Sequence, residues 1–546
     1  MHRLVLLSIA STLLMPFAAC GGGNSPAPHP TPATPQPSVS LSFSTATVAA
    51  GQPATLTWSS SYVTSCLASG SWSDAQLTSG TLNFVQVAPG SYTFTLTCNG
   101  NYGSAAATAT VTVSSTAQQV MVPAPGPLTP CASNCYYVDA VNGSDLNNGL
   151  TPTTAFQTLQ MAANTIGPGA TVTVASGVYT STTNSPLVIS TSGTSSGWTR
   201  FIAGTGQHPV IQIPSSNSAW YGIEISASYI VIEGFEVIGQ NQSITPAEAQ
   251  SNTGNQAYLN ETCIGVWGVQ SSSVPHDIAI LNNTVHDCSE AGIGLDVGDA
   301  VTVAYNNVYN NSWYSVYDSS AISLYHLTDA PGSTTTRGYK NFIVGNTEWN
   351  NYNSLPGLGS NPPAITDGNA IIIDDNRHTQ AAQGANDVQG IPYTGRTYVA
   401  NNVVYNNGGR GVHAYSSAHV DFVNNTAYND LLTNSQYISM EIDAQSCYDV
   451  NVVNNIADNL NGKQVDESDG GTYWNNLWDG SNVPMLGTNG LDEDPGFTNA
   501  AADNFAPAAG SPALASGTAA LSPVIDISGQ ARDPKAIDRG AIQESQ

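Results

Sequence analysis

The stretch NNTAYND, Asn424 to Asp430, returns along the chain in recognisable variants. NNTVHD begins at Asn282, NNVYNN at Asn306, GNTEWN at Gly345, NNVVYNN at Asn401 and NNIADN at Asn454. Taking the asparagines at 283, 307, 346, 402, 425 and 455 as equivalent gives intervals of 24, 39, 56, 23 and 30 residues. A base period of 23 to 24 with inserted lengths is the mark of a solenoid whose loops grow on one side. β-Branched residues dominate the runs, and no heptad or long 3.6-residue period competes, so each repeat reads as a coil of short strands. Asparagine side chains stacked along one turn would explain why that position holds one residue type. The expected fold is all-β: a right-handed parallel β-helix over residues 135–546.

Both ends of that region read as closures. Between Tyr136 and Thr180 one helical stretch, with Phe156, Leu159, Ala162 and Ala163 on its apolar side, stands between strand runs. It suits a helix capping the open end of the solenoid, where a bare sheet edge would invite aggregation. The last fifty or so residues are loop-rich and are expected to close the other end.

The chain in front has a different character. Met1 to Cys20, MHRLVLLSIASTLLMPFAAC, has a basic start, an apolar run and small residues before a cysteine, an export signal. It resembles a bacterial lipoprotein signal, which implies lipidation at Cys20 and a place on the outer membrane or cell surface. Nothing later is apolar for the ~18 residues of a spanning helix, so the membrane would be met through lipid alone. Residues 21–37 are Gly- and Pro-rich, a spacer. Residues 38–116 hold short alternating runs such as ATLTWSS and SYTFTLTC, the pattern of a small β-sandwich. With Trp58 and the Cys66/Cys98 spacing it resembles an immunoglobulin-like module, and such modules commonly serve as spacers. Residues 117–134 form a second linker.

Charge narrows the partners. The net charge is −27, from 38 acidic against 11 basic residues, which repels phosphate backbones and argues against nucleic acid. It would also repel an anionic polysaccharide unless a metal or a local arginine group intervened. Eight cysteines in an exported chain point to disulfides. Cys66 with Cys98 and Cys131 with Cys135 are the expected pairs, each within one segment. Cys263 and Cys288 are either a bridge between neighbouring coils or two buried thiols, and Cys447 is left over. Nothing points to an assembly, and a monomer is expected.

Aligning the strand before each asparagine turn produces columns. The runs are Ile264 to Trp267, Ile293 to Asp296, Ile322 to Tyr325, Ile371 to Asp374, Val412 to Tyr415 and Met440 to Asp443. Alternate side chains face opposite ways, so first and third positions fill the core and second and fourth face out. One outward column is then Gly265, Gly294, Ser323, Ile372, His413 and Glu441. The other is Trp267, Asp296, Tyr325, Asp374, Tyr415 and Asp443. Three rings to stack on sugars and three carboxylates to bind hydroxyls or a cation make a polysaccharide groove, walled by insertions near 327–340, 351–366 and 379–394. Asp375 follows Asp374 at the strand end, with Arg377 just behind. His276, His286, His326, His378 and His419 lack metal-ligand spacing and read as structural.

From residue 136 onward the chain resembles the polysaccharide lyase family 9 pectate lyases and the wider pectin-lyase-like β-helix superfamily. NGSDLNNGLTPTTAFQTLQMAANTIGPGATVTVASGVY looks like that family's N-terminal signature. DGNAIIIDD, followed by VVYNNGGRGVHAYSSAHVDFVNNTAYND, is similar to the family's DGNGFKLGG region and the repeats after it. The resemblance implies a β-helix acting on an acidic polysaccharide with calcium. It also shows departures: the catalytic lysine falls on Ile372, and the calcium motif DDGID falls on Ser319, Ser320, Ala321, Ile322 and Ser323. β-Elimination needs a strong base and a cation to draw charge from the carboxylate, and Ile and Ser supply neither.

Three readings follow. A relocated lyase would hold Ca²⁺ on Asp296, Asp374 and Asp375, with Arg410, Arg377 or His413 as base. A glycoside hydrolase would pair Asp374 with Asp443 or Glu441 across the bond. A non-catalytic surface protein, glycan-binding or structural, would retain the groove without the chemistry, with Trp267, Tyr325, Tyr415, Asp443 and Arg377 as the glycan-binding strip.

Overall fold

A computed structural model describes residues 35–544 apart from 126–129, 252–253, 255, 337, 436, 439, 461–469 and 481–485. The signal, Cys20 and most of the spacer lie outside the described residues. In a complete coil, three short strands are separated by corners, many of which a single residue turns in the left-handed backbone region. In one coil the strands are His276–Leu281, Thr284–His286 and Ile293–Asp296, and the corners are Asn282 (φ 55°), Asp287 (φ 60°) and Val297 (φ 63°). Asn and Asp tolerate that region better than other side chains, which is one reason the corners are rich in them. Stacked coils give three parallel sheets of 11, 11 and 8 strands around a continuous apolar core. We call them the first, second and third sheets in the order each coil visits them. The helix Leu159–Thr165, capped by the Thr158 hydroxyl accepting from Met161 N, seals the first coil with Phe156, Leu159 and Ala162 in the core.

The asparagine ladder sits at the corner between the first and second sheets. Asn283, Asn306, Asn346, Asn402, Asn425, Asn455 and Asn476 are buried, and each amide donates to the side-chain oxygen of the next. Each oxygen also accepts the backbone N–H of the preceding rung, as Asn346 Oδ1 does from Asn306 N at 3.0 Å. The rung in NNVYNN is therefore Asn306 and not Asn307, whose side chain is exposed. A second ladder, Asn311, Asn351, Asn407 and Asp430, lines the next corner. In four later doublets the outer asparagine has separate work. Asn401, Asn424, Asn454 and Asn475 donate to the carbonyls of Ile525, Asp538, Thr518 and Ser516. The C-terminal segment accordingly runs back along this corner instead of simply closing the end.

The N-terminal unit is two small sheets. Ser38–Phe43, Ala54–Ser61 and Ser79–Phe84 form one, and five strands including Ser65–Gly70, Gly90–Gly100 and Gly103–Ala117 form the other. Cys66 and Cys98 are bonded across neighbouring strands of the same sheet. Cys131–Cys135 and Cys263–Cys288 are also bonded, and Cys447 is a buried free thiol. The unit does not stand off as a spacer. Trp58, Phe84 and Phe94 share one apolar cluster with Tyr339, Phe342, Tyr398, Val423 and Val453 on the outer face of the first sheet. Arg377 grips Asp74 with two nitrogens, at 2.8 and 3.0 Å.

Three acids point the wrong way for a solenoid core. Glu348 occupies the position of Val308 and Val404 on the second sheet, fully buried, with both carboxyl oxygens lacking a hydrogen-bond partner. Burial, then the charge of Asp430, pushes its pKa well above the usual range. Glu441, also expected in the groove, faces Asp430 in the interior, and burial raises both. A charged carboxylate at Glu348 or Glu441 would be uncompensated, so both are held as neutral acids, whereas Asp430, raised to about 7, keeps two bonds from Asn407.

Two measurements test this account. Asn306→Ala strands the N–H and amide of Asn283 and is expected to cost about 2–4 kcal/mol, seen as a lowered melting temperature. Asn307→Ala should cost less than about 0.5 kcal/mol. Equal effects would refute the ladder assignment. For the interior acids, a raised folded pKa gives stability that is full below the unfolded value near ~4.3 and lost as pH rises toward the folded value. Glu348→Gln should therefore raise the melting temperature at pH 8 and leave it nearly unchanged near pH 4, and the reverse order would sink the assignment.

Candidate groove on the third sheet

Strand pairing on the third sheet determines which side chains share a column. Trp267, Asp296, Tyr325, Asp374 and Tyr415 are register neighbours in succession, and the next position is Gln445. The second column runs Gly265, Gly294, Ser323, Ile372, His413 and then Asp443. The last coil is thus displaced by two residues from the sequence alignment. Ile442 and not Met440 stands beside Val412, which moves Asp443 next to His413 and drops Glu441 out of the strand, into the interior. Parity survives a shift of two, so Asp443 still faces outward, but it is buried and paired with Arg410 at 3.1 Å.

The aspartates of DGNAIIIDD part company. Asp374 ends the strand on the groove side, half-buried, with Oδ1 enclosed and without a hydrogen-bond partner. Asp375 is the corner residue, at φ 44°, and its side chain turns away. Its carboxylate accepts from Thr379 N and Oγ1 and from Gln380 N, and lies 3.0 Å from His326 Nε2. His326 Nδ1 meets Asp387 at 2.5 Å, so one buried imidazole ties the 379–394 insertion to the strand ends. Burial alone would lower the His326 pKa, but its bonds to Asp375 and Asp387 raise it. Burial would likewise raise Asp375, and the His326 and Thr379 bonds hold it below its ordinary range.

The other expected residues divide in the same way. Arg377 is spent on Asp74 and the Ser446 carbonyl, with its guanidinium 5.2 Å from the Tyr448 ring centre, at the edge where the N-terminal unit meets the β-helix. Arg410 lies under the groove floor, 3% exposed, held by Asp443 and by the carbonyls of Thr366 and Tyr437. His413, equally buried, is kept neutral by burial and by the Arg410 charge. Trp267 and Tyr325 are half-buried and Tyr415 is 37% exposed, rings in the column where a sugar could stack. His276, His286 and His419 each bond an aspartate, and His378 a main-chain carbonyl.

The groove holds more acid than the columns show. Burial pushes Asp296 up to about 6, opposed by the His326 charge. Burial, then the charge of Asp296, pushes Glu290 up to about 8. Asp318 rises to about 7 through burial and Asp367, and Asp367 is itself raised by burial. Asp374 is driven well above the carboxylate range by burial first, then by Asp367, Asp375, Asp296 and Asp318. Glu290, Asp318 and Asp367 lie outside the strand runs, which is why column alignment missed them. The only signal was acid beside apolar or small residues, as in DGNAIII.

A calcium site built on Asp296, Asp374 and Asp375 does not fit this arrangement. Asp375 is turned away at the corner and gives its oxygens to the amides of Thr379 and Gln380, the Thr379 hydroxyl and His326, which leaves Asp296 and Asp374 as two carboxyls on alternate strands of the column. Among the described residues no group of three or more His, Cys, Asp or Glu is placed to hold a metal ion. Ile372, where the resemblance locates a lysine base, is 4% exposed between Ser323 and His413.

Three solved structures are distantly similar. Pectate lyase Pel9A is similar in structure over 76% of this chain and 97% of its own, at 16% identity and a TM-score of 0.44. A rhamnogalacturonan lyase aligns over 64% and 75%, at 15% identity and 0.36. A GH136 lacto-N-biosidase from Eubacterium ramulus aligns over 64% and 55%, at 15% identity and 0.39. No curated protein sequence matches. The profile of the Pel9A-like, right-handed β-helix region matches residues 136–444, more than half of the chain. The chain therefore belongs to the Pel9A-like right-handed β-helix family.

Proposed function

We propose that this is an exported, lipid-anchored protein that hydrolyses a polysaccharide in the third-sheet groove, with Asp374 as general acid and Asp296 as general base. The observation that carries the reading is the unlike surroundings of two carboxyls in one column. Asp374, its enclosed oxygen unpaired and its neighbours acidic, is held protonated. Asp296, raised only to about 6, is ionised at neutral pH. Groups whose surroundings drive their pKa values apart can divide acid and base roles. Tyr325 stands between them, so two strand spacings of ~4.8 Å separate the backbones by roughly 10 Å. That leaves room for a water, as inverting glycosidases require.

In this mechanism a sugar ring stacks on Tyr325 and its neighbours. Asp374 delivers its proton to the glycosidic oxygen as the bond to the anomeric carbon breaks. Asp296 takes a proton from the water that attacks the opposite face. Both carboxyls exchange state and recover through solvent. A family lysine has no counterpart at Ile372, so β-elimination has no base there. The export and lipid anchor rest on Met1 to Cys20 alone.

Asp374→Asn and Asp296→Asn should each lower kcat by about 10²–10⁴-fold with an unchanged or raised melting temperature. In the unmodified protein the rate should climb with pH through about 6, where Asp296 ionises, and fall at higher pH as Asp374 loses its proton. Products should carry new reducing ends without ultraviolet absorbance from a double bond. Unsaturated products would replace this reading with a lyase.

A further inference from the structure

We infer that the groove is built for an uncharged glycan, not for the uronate chains that the family resemblance implies. This rests on the proposed reading of the third sheet as a glycan-processing face, and deepens it by naming the substrate class.

The argument begins with where the cations are. Arg3, Arg337 and Lys463 lie outside the described residues, leaving eight of the chain's eleven. Arg410 and Arg377, the two nearest the groove, are held by Asp443 and Asp74 and by three carbonyls. Arg200 pairs with Glu233, Lys340 with Asp299 and Asp329, and Arg396 with Asp421 and Asp449. Arg532 and Arg539 bind carbonyls of the C-terminal region, and Lys535 lies in the same segment, behind the other two sheets. Among the described residues, no cation in the groove is without an acid of its own.

What lines the groove instead are Glu290, Asp296, Asp318, Asp367 and Asp374, interleaved with Trp267, Tyr325 and Tyr415. A uronate polymer brings a carboxylate on every residue. Each would have to be desolvated there with, among the described residues, no free guanidinium or ammonium to meet it, and an uncompensated carboxylate in a partly enclosed site is strongly disfavoured. A neutral hexopyranose makes the opposite use of the same groups. Its hydroxyls accept from protonated carboxyls and donate to ionised ones, and its C–H faces lie on the rings. Buried carboxyls kept neutral suit a neutral partner, since binding one need not change their charge.

The test uses the full mature chain carrying Asp374→Asn, so that binding is read without turnover. Its retention is measured in gels containing xyloglucan, galactomannan or mixed-linkage β-glucan (neutral), polygalacturonate or alginate (anionic), and chitosan (cationic), in EDTA and separately in CaCl₂, at 50 and 500 mM NaCl. The expected result is retention by at least one neutral polymer, changing less than about twofold with salt because no ion pair is screened, and none by the uronates. Retention by a uronate in either EDTA or CaCl₂, by chitosan alone, or by nothing overturns the inference. The wild type, assayed for reducing ends on the same polymers, separates the two claims. A neutral polymer bound but never cleaved defeats the hydrolase and leaves the substrate class standing. A uronate cleaved hydrolytically does the reverse.

Discussion

A buried amide that needs both a donor and an acceptor is what aligns this molecule. Each ladder asparagine gives its N–H₂ to the next rung and receives two N–H groups from the previous one. Such a side chain is costly inside an apolar solenoid unless every rung is present, so the ladder holds as a unit. It sets the height of each coil against its neighbour, and hence the register of the third sheet, where side chains from distant sequence become columns. The doublet NN resolves into two tasks. From Asn401 onward the inner residue stacks, and the outer one turns the chain in the left-handed region and holds the returning C-terminal segment.

The second organising constraint is electrostatic. With 38 acids and 11 bases the chain cannot pair its carboxylates one to one. It deals with the excess in several ways. Some acids are bound by histidine and main-chain N–H groups, as Asp375 is, and stay charged. Some are paired with the few arginines, as Asp74, Asp421 and Asp443 are. Others, including Glu348, Glu441 and Asp374, are enclosed and kept neutral by the cost of desolvation, while acids such as Asp492, Glu493, Asp494 and Asp533 stay in solvent. The groove draws on the first and third kinds, which is how adjacent aspartates come to differ so widely.

Much of this was legible in the residues. The repeat announced a parallel β-helix, the 156–163 segment its cap, and alternation along five of six strands placed Trp267, Asp296, Tyr325, Asp374 and Tyr415 in one column. The failures have local causes. Asn306 and Asn307 are indistinguishable by spacing when an inserted loop follows. The last strand slipped because Glu441 stands where Gly411 and Ala370 stand, an acid in a column of small residues that invited an outward reading. Asp375 was misjudged because a period of two says nothing about the residue that leaves the strand at positive φ. The union of the N-terminal unit with the first sheet was hidden for another reason. Phe342, Tyr398 and Val423 read as strand residues buried on both faces, which any parallel sheet would show.

The ladder also bears on how such a protein changes over generations. Successive rungs are separated by 23, 40, 56, 23, 30 and 21 residues, yet the hydrogen bonds between them are alike. Extra length leaves at the corners and never enters the stack, and loop-closure cost grows only slowly with length. Mutation can therefore lengthen a groove wall, or exchange a side chain on the outer face of the third sheet, without disturbing the coils beneath. A scaffold of this kind can lose one chemistry and acquire another while its shape is inherited intact.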